Sequence, residues 1–251
     1  MPRQIITAGV DLQRSTVYTS LNISECFSRT IQGEGKFIGY PSIFLRLQGC
    51  VLNCGWCDSK EVWKKGNPFT VDEVIQLFKD HEVLFDLRNG HHLVVTGGSP
   101  LIQQNVLAGL FDNIQKEISS LPFIEVETEC VIMPIKELIR KISWWNCSPK
   151  LANSGIPKKQ RYKFDNLELM SKMNNVSFKF VVSNENDMAE IYDDFINPLQ
   201  LDHKKVILMP EGQTRDELSE RYSWLVDIAT REGFVVSDRL HITIWNKKTG
   251  V

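Results

Sequence analysis

The sequence has no apolar stretch near the roughly 20 residues that a membrane-spanning helix needs, and residues 1–20 lack the central apolar block of a secretion signal. It also lacks an excess of one charge, because 29 Lys and Arg stand against 31 Asp and Glu, for a formal net charge of −2. A dedicated nucleic-acid binder, or a protein held on a membrane by charge, is therefore disfavoured. No internal repeat, low-complexity tract or interdomain linker divides the 251 residues. We expect a cytoplasmic protein with a single domain over residues 1–251, without direct contact to nucleic acid or membrane.

What the sequence has instead is a regular alternation of short predicted strands and amphipathic helices. Thr-x-x-Glu capping boxes at Thr70 and Thr214 mark the beginnings of two of these helices. The alternation indicates a parallel sheet with right-handed connections, and about six units are too few for a closed eight-stranded barrel. The sequence predicts an α/β fold, a partial (open) βα barrel of about six parallel strands over residues 41–251, preceded by an N-terminal segment, residues 1–40. Strands are predicted at residues 41–48, 92–96, 123–128, 144–148, 177–182, 206–209 and 235–245.

In folds of this type the functional site lies at the carboxyl ends of the parallel strands. The last predicted strand, residues 235–245, places Leu240 and Ile242 on one face and His241 on the other. The segments at the ends of the earlier strands are therefore the first candidates for a site: Gln48-Gly49-Cys50, Thr96-Gly97-Gly98, Glu127-Thr128, Ser148-Pro149-Lys150, residues 179–183 and Met209-Pro210-Glu211.

Three of the six cysteines fall within eight residues, in Cys50-Val-Leu-Asn-Cys54-Gly-Trp-Cys57. In a reducing compartment an even number of cysteines does not imply disulfides, and so close a group indicates a metal centre. A zinc ion would need a fourth ligand. An iron–sulfur cluster usually has four cysteines, so three would leave one iron of a four-iron cluster with an open position. The other cysteines are expected to be buried small apolar residues, although a fourth ligand from this set stays open: Cys26, Cys130 and Cys147.

The spacing Cys-x3-Cys-x2-Cys, with Trp56 before the last cysteine, resembles the signature of the radical S-adenosylmethionine (SAM) enzymes. The segment Gly97-Gly98-Ser99-Pro100, at the end of the next predicted strand, resembles a second motif of that superfamily. The resemblance implies a partial barrel and a [4Fe-4S] cluster held by Cys50, Cys54 and Cys57, whose open iron binds SAM. An electron from the cluster would then cleave SAM to methionine and a 5′-deoxyadenosyl radical.

A narrower resemblance, to the 7-carboxy-7-deazaguanine synthase family, covers nearly the whole chain. It implies a lyase that converts 6-carboxy-5,6,7,8-tetrahydropterin to 7-carboxy-7-deazaguanine with release of ammonia, in the biosynthesis of queuosine or related deazaguanine nucleosides. It also implies a homodimer and a reductant such as flavodoxin or ferredoxin. The resemblance rests on the order of short motifs: Thr30-Ile31-Gln32-Gly33-Glu34-Gly35, Arg46-Leu47-Gln48-Gly49-Cys50, Cys57-Asp58-Ser59-Lys60, Glu127-Thr128, Ser148-Pro149-Lys150-Leu151, Lys179-Phe180-Val181-Val182, Leu208-Met209-Pro210-Glu211-Gly212 and His241.

The same resemblance implies a set of residues that contact the pterin substrate, some of them in the N-terminal segment. Arg46 lies on the polar side of a predicted strand and suits the substrate carboxylate, with an internal ion pair to an Asp or Glu as the alternative. Lys179 points away from the two Phe residues beside it and needs an anion if it is buried. The full set is Ile31, Gln32, Gly33, Glu34, Arg46, Thr96, Lys179 and His241.

The family resemblance also implies contacts to SAM and to Mg²⁺. The Ser59 hydroxyl is implied to bind Mg²⁺ beside the substrate carboxylate, at a position where the family has Thr. The family has Glu at position 99, where its carboxylate receives the SAM ammonium group. Because Ser99 carries no charge, Glu127 and Glu129 become candidates to supply it. The residues implied to contact SAM are Trp56, Gly98, Ser99, Glu127, Ser148, Pro149 and Lys150.

Two other functions stay open at this point. A glycyl-radical activase has the same three-cysteine spacing, although the Gln-Gly-Glu-Gly loop, Arg46 and His241 disfavour it. A homologue that has lost catalysis and acts as a regulatory protein is the other alternative, and Ser99 is the observation that motivates it.

Overall fold

The computed structural model describes residues 2–7, 20–246, 248 and 250. Residues 8–19 of the predicted N-terminal segment lie outside this description. The described strands are β1 (Arg3–Thr7), β2 (Ser20–Ile31), β3 (Pro41–Leu47), β4 (Asn67–Thr70), β5 (His92–Gly97), β6 (Ile124–Thr128), β7 (Trp144–Cys147), β8 (Val176–Val182), β9 (Val206–Pro210) and β10 (Val235–Val236).

Helices connect most of these strands, and in the described ranges none of them is both long and apolar enough to cross a membrane. A π-helical segment, Ile191–Ile196, continues α8, and 3₁₀ turns span Gly35–Phe37, Pro100–Gln103, Ala152–Ser154 and His203–Lys205. The α-helices are α1 (Lys60–Trp63), α2 (Val71–Asp80), α3 (Val83–Arg88), α4 (Gln104–Ile118), α5 (Lys136–Lys141), α6 (Lys158–Arg161), α7 (Phe164–Ser171), α8 (Asp187–Glu190), α9 (Asn197–Leu199), α10 (Arg215–Glu232) and α11 (Leu240–Trp245).

The strands form one sheet whose centre is parallel. Strands β3, β5, β6, β7, β8 and β9 follow one another in that order as parallel neighbours, and β10 extends the run beside β9. Strand β2 lies antiparallel to β3, and both β1 and β4 pair with β2. Within the described residues the two ends of the sheet, β1 and β10, do not pair. The predicted open βα barrel with about six parallel strands is therefore confirmed.

The packing explains why these segments become strands and helices. All seven residues of β8 and all five of β9 are buried, as expected for parallel strands that are covered on both faces. Helix α4 buries Leu110, Phe111 and Ile114 against the sheet. Both predicted capping boxes are present, at Thr70 in front of α2 and at Thr214 in front of α10. The predicted burial of Cys26, Cys130 and Cys147 is confirmed.

The end of the described chain differs from the prediction. Residues 235–245 do not form one strand, because β10 ends after two residues and Leu240 begins helix α11. Asp238 explains the change of direction, since its carboxylate accepts from the Arg239 backbone amide at 2.6 Å and from the Thr243 hydroxyl at 3.0 Å. The Leu240 amide donates to the Gly33 carbonyl at 2.8 Å, which fixes the helix on the N-terminal loop. His241 therefore belongs to a helix, and the prediction of a strand there is wrong.

Candidate active site

A cavity of about 260 Å³ lies where the carboxyl ends of the parallel strands meet, as expected for this fold. Ser99 and Pro149 are the two predicted site residues that do not line it. Ser99 is buried next to Cys50, with its hydroxyl 3.8 Å from the Cys50 Sγ. The predicted residues that line the cavity are Ile31, Gln32, Gly33, Glu34, Arg46, Cys50, Cys54, Trp56, Cys57, Ser59, Thr96, Gly98, Glu127, Ser148, Lys150, Lys179 and His241.

The three cysteines lie in the loop between β3 and α1, and their side chains face this cavity. The Leu52 amide donates to the Cys50 Sγ at 3.4 Å, and the Trp63 indole donates to the Cys57 Sγ at 3.4 Å. Such donors stabilise thiolates that bind iron and tune an iron–sulfur cluster. Burial raises the pKa of the Cys54 thiol, while the Lys150 ammonium opposes that rise.

Three other potential metal ligands also line the cavity. In the described part of the chain, Glu34, Asp58 and His241 bring donor atoms within 4.8 Å of one another.

The glycine pair at the end of β5 allows the cysteine loop to approach the sheet. A Cβ on Gly98 would lie 2.3 Å from the Gly49 carbonyl oxygen and 2.4 Å from the Cys50 Cβ. Gly97 has a φ of +150°, and a Cβ there would lie 2.3 Å from the Leu47 carbonyl oxygen. Neither position has room for a side chain, so the pair is a requirement of this backbone contact.

On the opposite wall, two carboxylates and two cations form a charged group, in which Glu34 and both cations are largely buried and the Asp58 side chain is 36% exposed. Glu34 forms ion pairs with Lys179 and, at 2.9 Å, with the Arg239 Nε, while Arg239 also pairs with Asp58. Burial raises the pKa of Glu34, but the charges of Lys179 and Arg239 outweigh burial and hold it well below its usual range. The same opposition lowers the pKa of Asp58. Both carboxylates are therefore ionised and already paired.

Arg239 is the functional residue that the sequence analysis missed. It is 8% exposed, lines the cavity, and donates to the Gly212 carbonyl at 2.5 Å as well as to the two carboxylates. It belongs to none of the recognised motifs, and it lies in the segment that was interpreted as a strand. The signal in the sequence was Ser237-Asp238-Arg239, in which a short acidic side chain precedes a possible helix.

His241 lies against this group and against the N-terminal loop. A Cβ on Gly33 would lie 2.4 Å from the His241 Nδ1, so glycine is needed at position 33 for the imidazole to fit. Burial lowers the pKa of His241; Glu34 opposes this shift, and Arg239 adds to it. The imidazole is therefore neutral near pH 7 and can both accept and donate a proton.

Arg46 and Thr96 are neighbours across the β3–β5 pair. The Arg46 Nε donates to the Glu25 carboxylate at 2.7 Å, so the internal ion pair considered as an alternative is present. The Thr96 hydroxyl donates to Glu127 at 2.7 Å. Burial lowers the pKa of Arg46, but Glu25 outweighs that effect and raises it, with Glu127 adding to the rise. Glu127 thus lies on the same part of the cavity wall as Arg46 and Thr96.

The Gln32 side chain is held by a network of buried polar residues. Its side-chain amide donates to Glu125 at 3.2 Å, and its carbonyl oxygen accepts from the Glu34 amide at 3.3 Å. Glu125 is fully buried and also contacts His92 Nδ1 and Asn146 Nδ2, each at 2.7 Å. These contacts leave Gln32 one orientation at the cavity wall. Glu125 and His92 carried no motif, so the sequence did not reveal this network.

Comparison with known proteins agrees with this site. Residues 31–128 match a family model described as a 4Fe-4S single cluster domain. The 7-carboxy-7-deazaguanine synthase of Pyrobaculum aerophilum is 34% identical over 92% of this chain and 97% of its own. That of Halobacterium salinarum is 30% identical over 90% of this chain and 91% of its own. The crystal structure of QueE from Escherichia coli shares the fold, with a TM-score of 0.63 and 23% identity over 88% of this chain and 95% of that chain. The chain therefore belongs to the 7-carboxy-7-deazaguanine synthase family of enzymes.

Proposed function

We propose that this protein is a radical SAM lyase that converts 6-carboxy-5,6,7,8-tetrahydropterin to 7-carboxy-7-deazaguanine and releases ammonia. The observation that carries the proposal is that a three-cysteine loop and a wall of paired charged groups face the same cavity. The named relatives support this function over a glycyl-radical activase or a regulatory homologue, because they are 7-carboxy-7-deazaguanine synthases and this chain matches them over nearly their whole length.

The residues fit the cofactors that this function needs. Cys50, Cys54 and Cys57 would hold a [4Fe-4S] cluster, and SAM would bind next to it in the cavity that these cysteines and Gly98 line. When bound, the cluster and SAM supply the radical that takes hydrogen from the substrate. The cysteine loop and helix α11 line the cavity, and together they would limit the access of water to this step.

A second group of residues would hold the adenosine part of SAM. The Lys150 ammonium donates to the Ser148 hydroxyl at 2.8 Å and lies 5.5 Å from the Trp56 ring centre. The Trp56 indole donates to the Asn153 side chain at 3.2 Å, which fixes the ring. An aromatic face beside hydroxyl and ammonium donors suits a nucleoside with ribose hydroxyls.

On the opposite wall, the chain's own groups would bind and orient the pterin. Arg46 and Lys179 supply positive charge for the substrate carboxylate, and in the structure each is paired with a glutamate. Gln32 and the backbone of Gly33 offer an amide edge to the flat ring. His241, neutral near pH 7, is placed to accept or return a proton as ammonia leaves.

Ser59 is the residue that would bind Mg²⁺, and it lies on the cysteine side of the cavity, with its Oγ 3.7 Å from the Cys57 Sγ. The Ser59 hydroxyl lines the cavity as a hard oxygen ligand. Asp58 and Glu34 are already paired with Arg239, so we propose that Mg²⁺ binds on the Ser59 side and completes its coordination with substrate and water oxygens.

We further propose that residues 1–251 act as one domain, as a cytoplasmic homodimer that receives electrons from a flavodoxin or ferredoxin. Its product would serve queuosine or a related nucleoside.

Cysteine variants test the proposed function. After anaerobic reconstitution with iron and sulfide, Cys50→Ala, Cys54→Ala and Cys57→Ala should each lose cluster absorbance and SAM cleavage in the presence of a reductant. Cys26→Ala is the matched control, because Cys26 is fully buried between β2 and its neighbours, away from the cavity. Full SAM cleavage by any of the three loop variants would refute the proposal.

A further inference from the structure

Glu129 is a buried carboxylate that the proposed function has so far left without a role. It follows directly on β6, is 6% exposed, and still lines the cavity. Among the described residues, its Oε1 atom has no hydrogen-bond partner. A buried carboxylate oxygen without a partner is costly. Its position at a cavity wall therefore indicates a ligand that donates to it.

Ser99 connects this carboxylate to the cysteine loop. Burial raises the pKa of Glu129, while its own backbone amide and the nearby Ser99 side chain oppose that rise. The same hydroxyl accepts from the Val51 amide at 3.1 Å and lies 3.8 Å from the Cys50 Sγ. One hydroxyl group thus separates the Glu129 carboxylate from a cysteine that would hold the cluster.

The structure separates Glu129 from Glu127, the other acidic candidate. Glu127 accepts from Thr96, and its charge raises the pKa of both Arg46 and Lys179, so it belongs to the substrate wall. Glu129 has Ser99 and Lys150 as its neighbours, which belong to the cysteine side. A cationic group that approaches the cysteine loop would therefore meet Glu129 first.

We propose that Glu129 receives the ammonium group of SAM. This inference rests on the proposed function, in which SAM binds beside Cys50. A glutamate at position 99 would place a second carboxylate against Glu129 in a buried pocket, where two negative charges cannot both be accommodated. The carboxylate and the hydroxyl have therefore exchanged places. Ser99 stands where the family resemblance implies a glutamate, and Glu129 supplies the carboxylate from the end of the neighbouring strand β6.

The test is the Kd for SAM, measured by isothermal titration calorimetry on the anaerobically reconstituted protein, with iron content determined for every variant. Glu129→Gln keeps the shape but removes the charge, so it should weaken SAM binding at least tenfold. Glu137→Gln is the control and should leave the Kd within about twofold, since Glu137 is exposed on α5 and does not line the cavity. Glu129→Asp, which keeps the charge but shortens the reach, should fall between wild type and Glu129→Gln.

A double variant tests the exchange itself. Ser99→Glu alone should weaken SAM binding, because the two carboxylates repel, whereas Ser99→Glu combined with Glu129→Gln should recover most of the wild-type affinity. If wild type binds SAM and Glu129→Gln binds it equally well at equal iron content, the inference is overturned and the proposed function stands. A double variant no better than Glu129→Gln would overturn the exchange. If the iron-loaded wild type binds no SAM at all, the proposed function itself fails.

Discussion

Arg239 joins the two acidic side chains of the cavity wall, Glu34 and Asp58, and its own position is set by Asp238 and by the Gly212 carbonyl. Lys179 completes the group by pairing with the other side of Glu34. The largely buried Glu34 and the 36% exposed Asp58 can lie this close together because two cations neutralise them. At the scale of single residues, the site thus depends on a balance between two negative and two positive side chains, and no single motif of the sequence contains all four.

Arg239→Gln should disturb that balance strongly. It leaves the largely buried Glu34 with one cation, and removing one partner of a buried pair typically costs about 3 kcal/mol of unfolding free energy. Asp58 also loses its partner, but its side chain is 36% exposed and stays in contact with water. Urea denaturation measures this loss. The control is Arg231→Gln, because Arg231 is 67% exposed and pairs with Glu232 on the surface, so its change should stay within about 0.5 kcal/mol. Equal effects of the two substitutions would contradict the account of Arg239.

His241 should make stability depend on pH. Burial lowers its pKa below the usual 6.5, so the unfolded chain binds this proton more readily than the folded protein does. Stability linked to His241 is therefore present above pH 6.5 and is lost as the pH falls below that value. Denaturation at pH 5.5 and 7.5 should show a smaller pH difference for His241→Gln than for wild type. Identical pH profiles would show that the imidazole is not buried in its neutral form.

At the scale of elements, the site depends on one close contact between the end of β5 and the cysteine loop. The sequence predicted that both segments lie at strand ends, because Gly97-Gly98 follows a short apolar run and the cysteines follow the strand before it, but it did not predict that they touch. The strands that are buried on both faces and the helices with capping boxes were equally predictable. Helix α11 was not, because its alternating apolar residues also fit a strand and only the contact with the Gly33 carbonyl decides between the two.

Gly98→Ala tests the contact. A methyl group there would lie 2.4 Å from the Cys50 Cβ, so the cysteine loop must move and cluster assembly should fail. The visible absorbance and iron content after reconstitution measure this. Gly109→Ala is the control, since nothing lies within 4 Å of its added Cβ inside α4 and the helix should gain up to about 1 kcal/mol. Normal iron content in Gly98→Ala would contradict the proposed role of the glycine pair.

At the scale of the whole molecule, the fold brings together residues that lie at opposite ends of the sequence. Gln32, Gly33 and Glu34 meet Arg239 and His241 across the open side of the barrel, and the strand ends supply the rest of the wall. The sequence predicted the barrel, the cysteine loop and most cavity residues, because strand ends and short motifs mark them. It did not predict the charge pairing or the network behind Gln32, because these depend on distances between segments up to 205 residues apart.

The central claim is that this cavity carries out the synthase reaction, and one measurement tests it most directly. The reconstituted protein is incubated anaerobically with 6-carboxy-5,6,7,8-tetrahydropterin, SAM, Mg²⁺ and a reductant. The products are then separated, identified by mass spectrometry and quantified. The account predicts 7-carboxy-7-deazaguanine and ammonia in equal amounts. Unchanged pterin, from a protein that holds its full complement of iron and binds SAM, would contradict it.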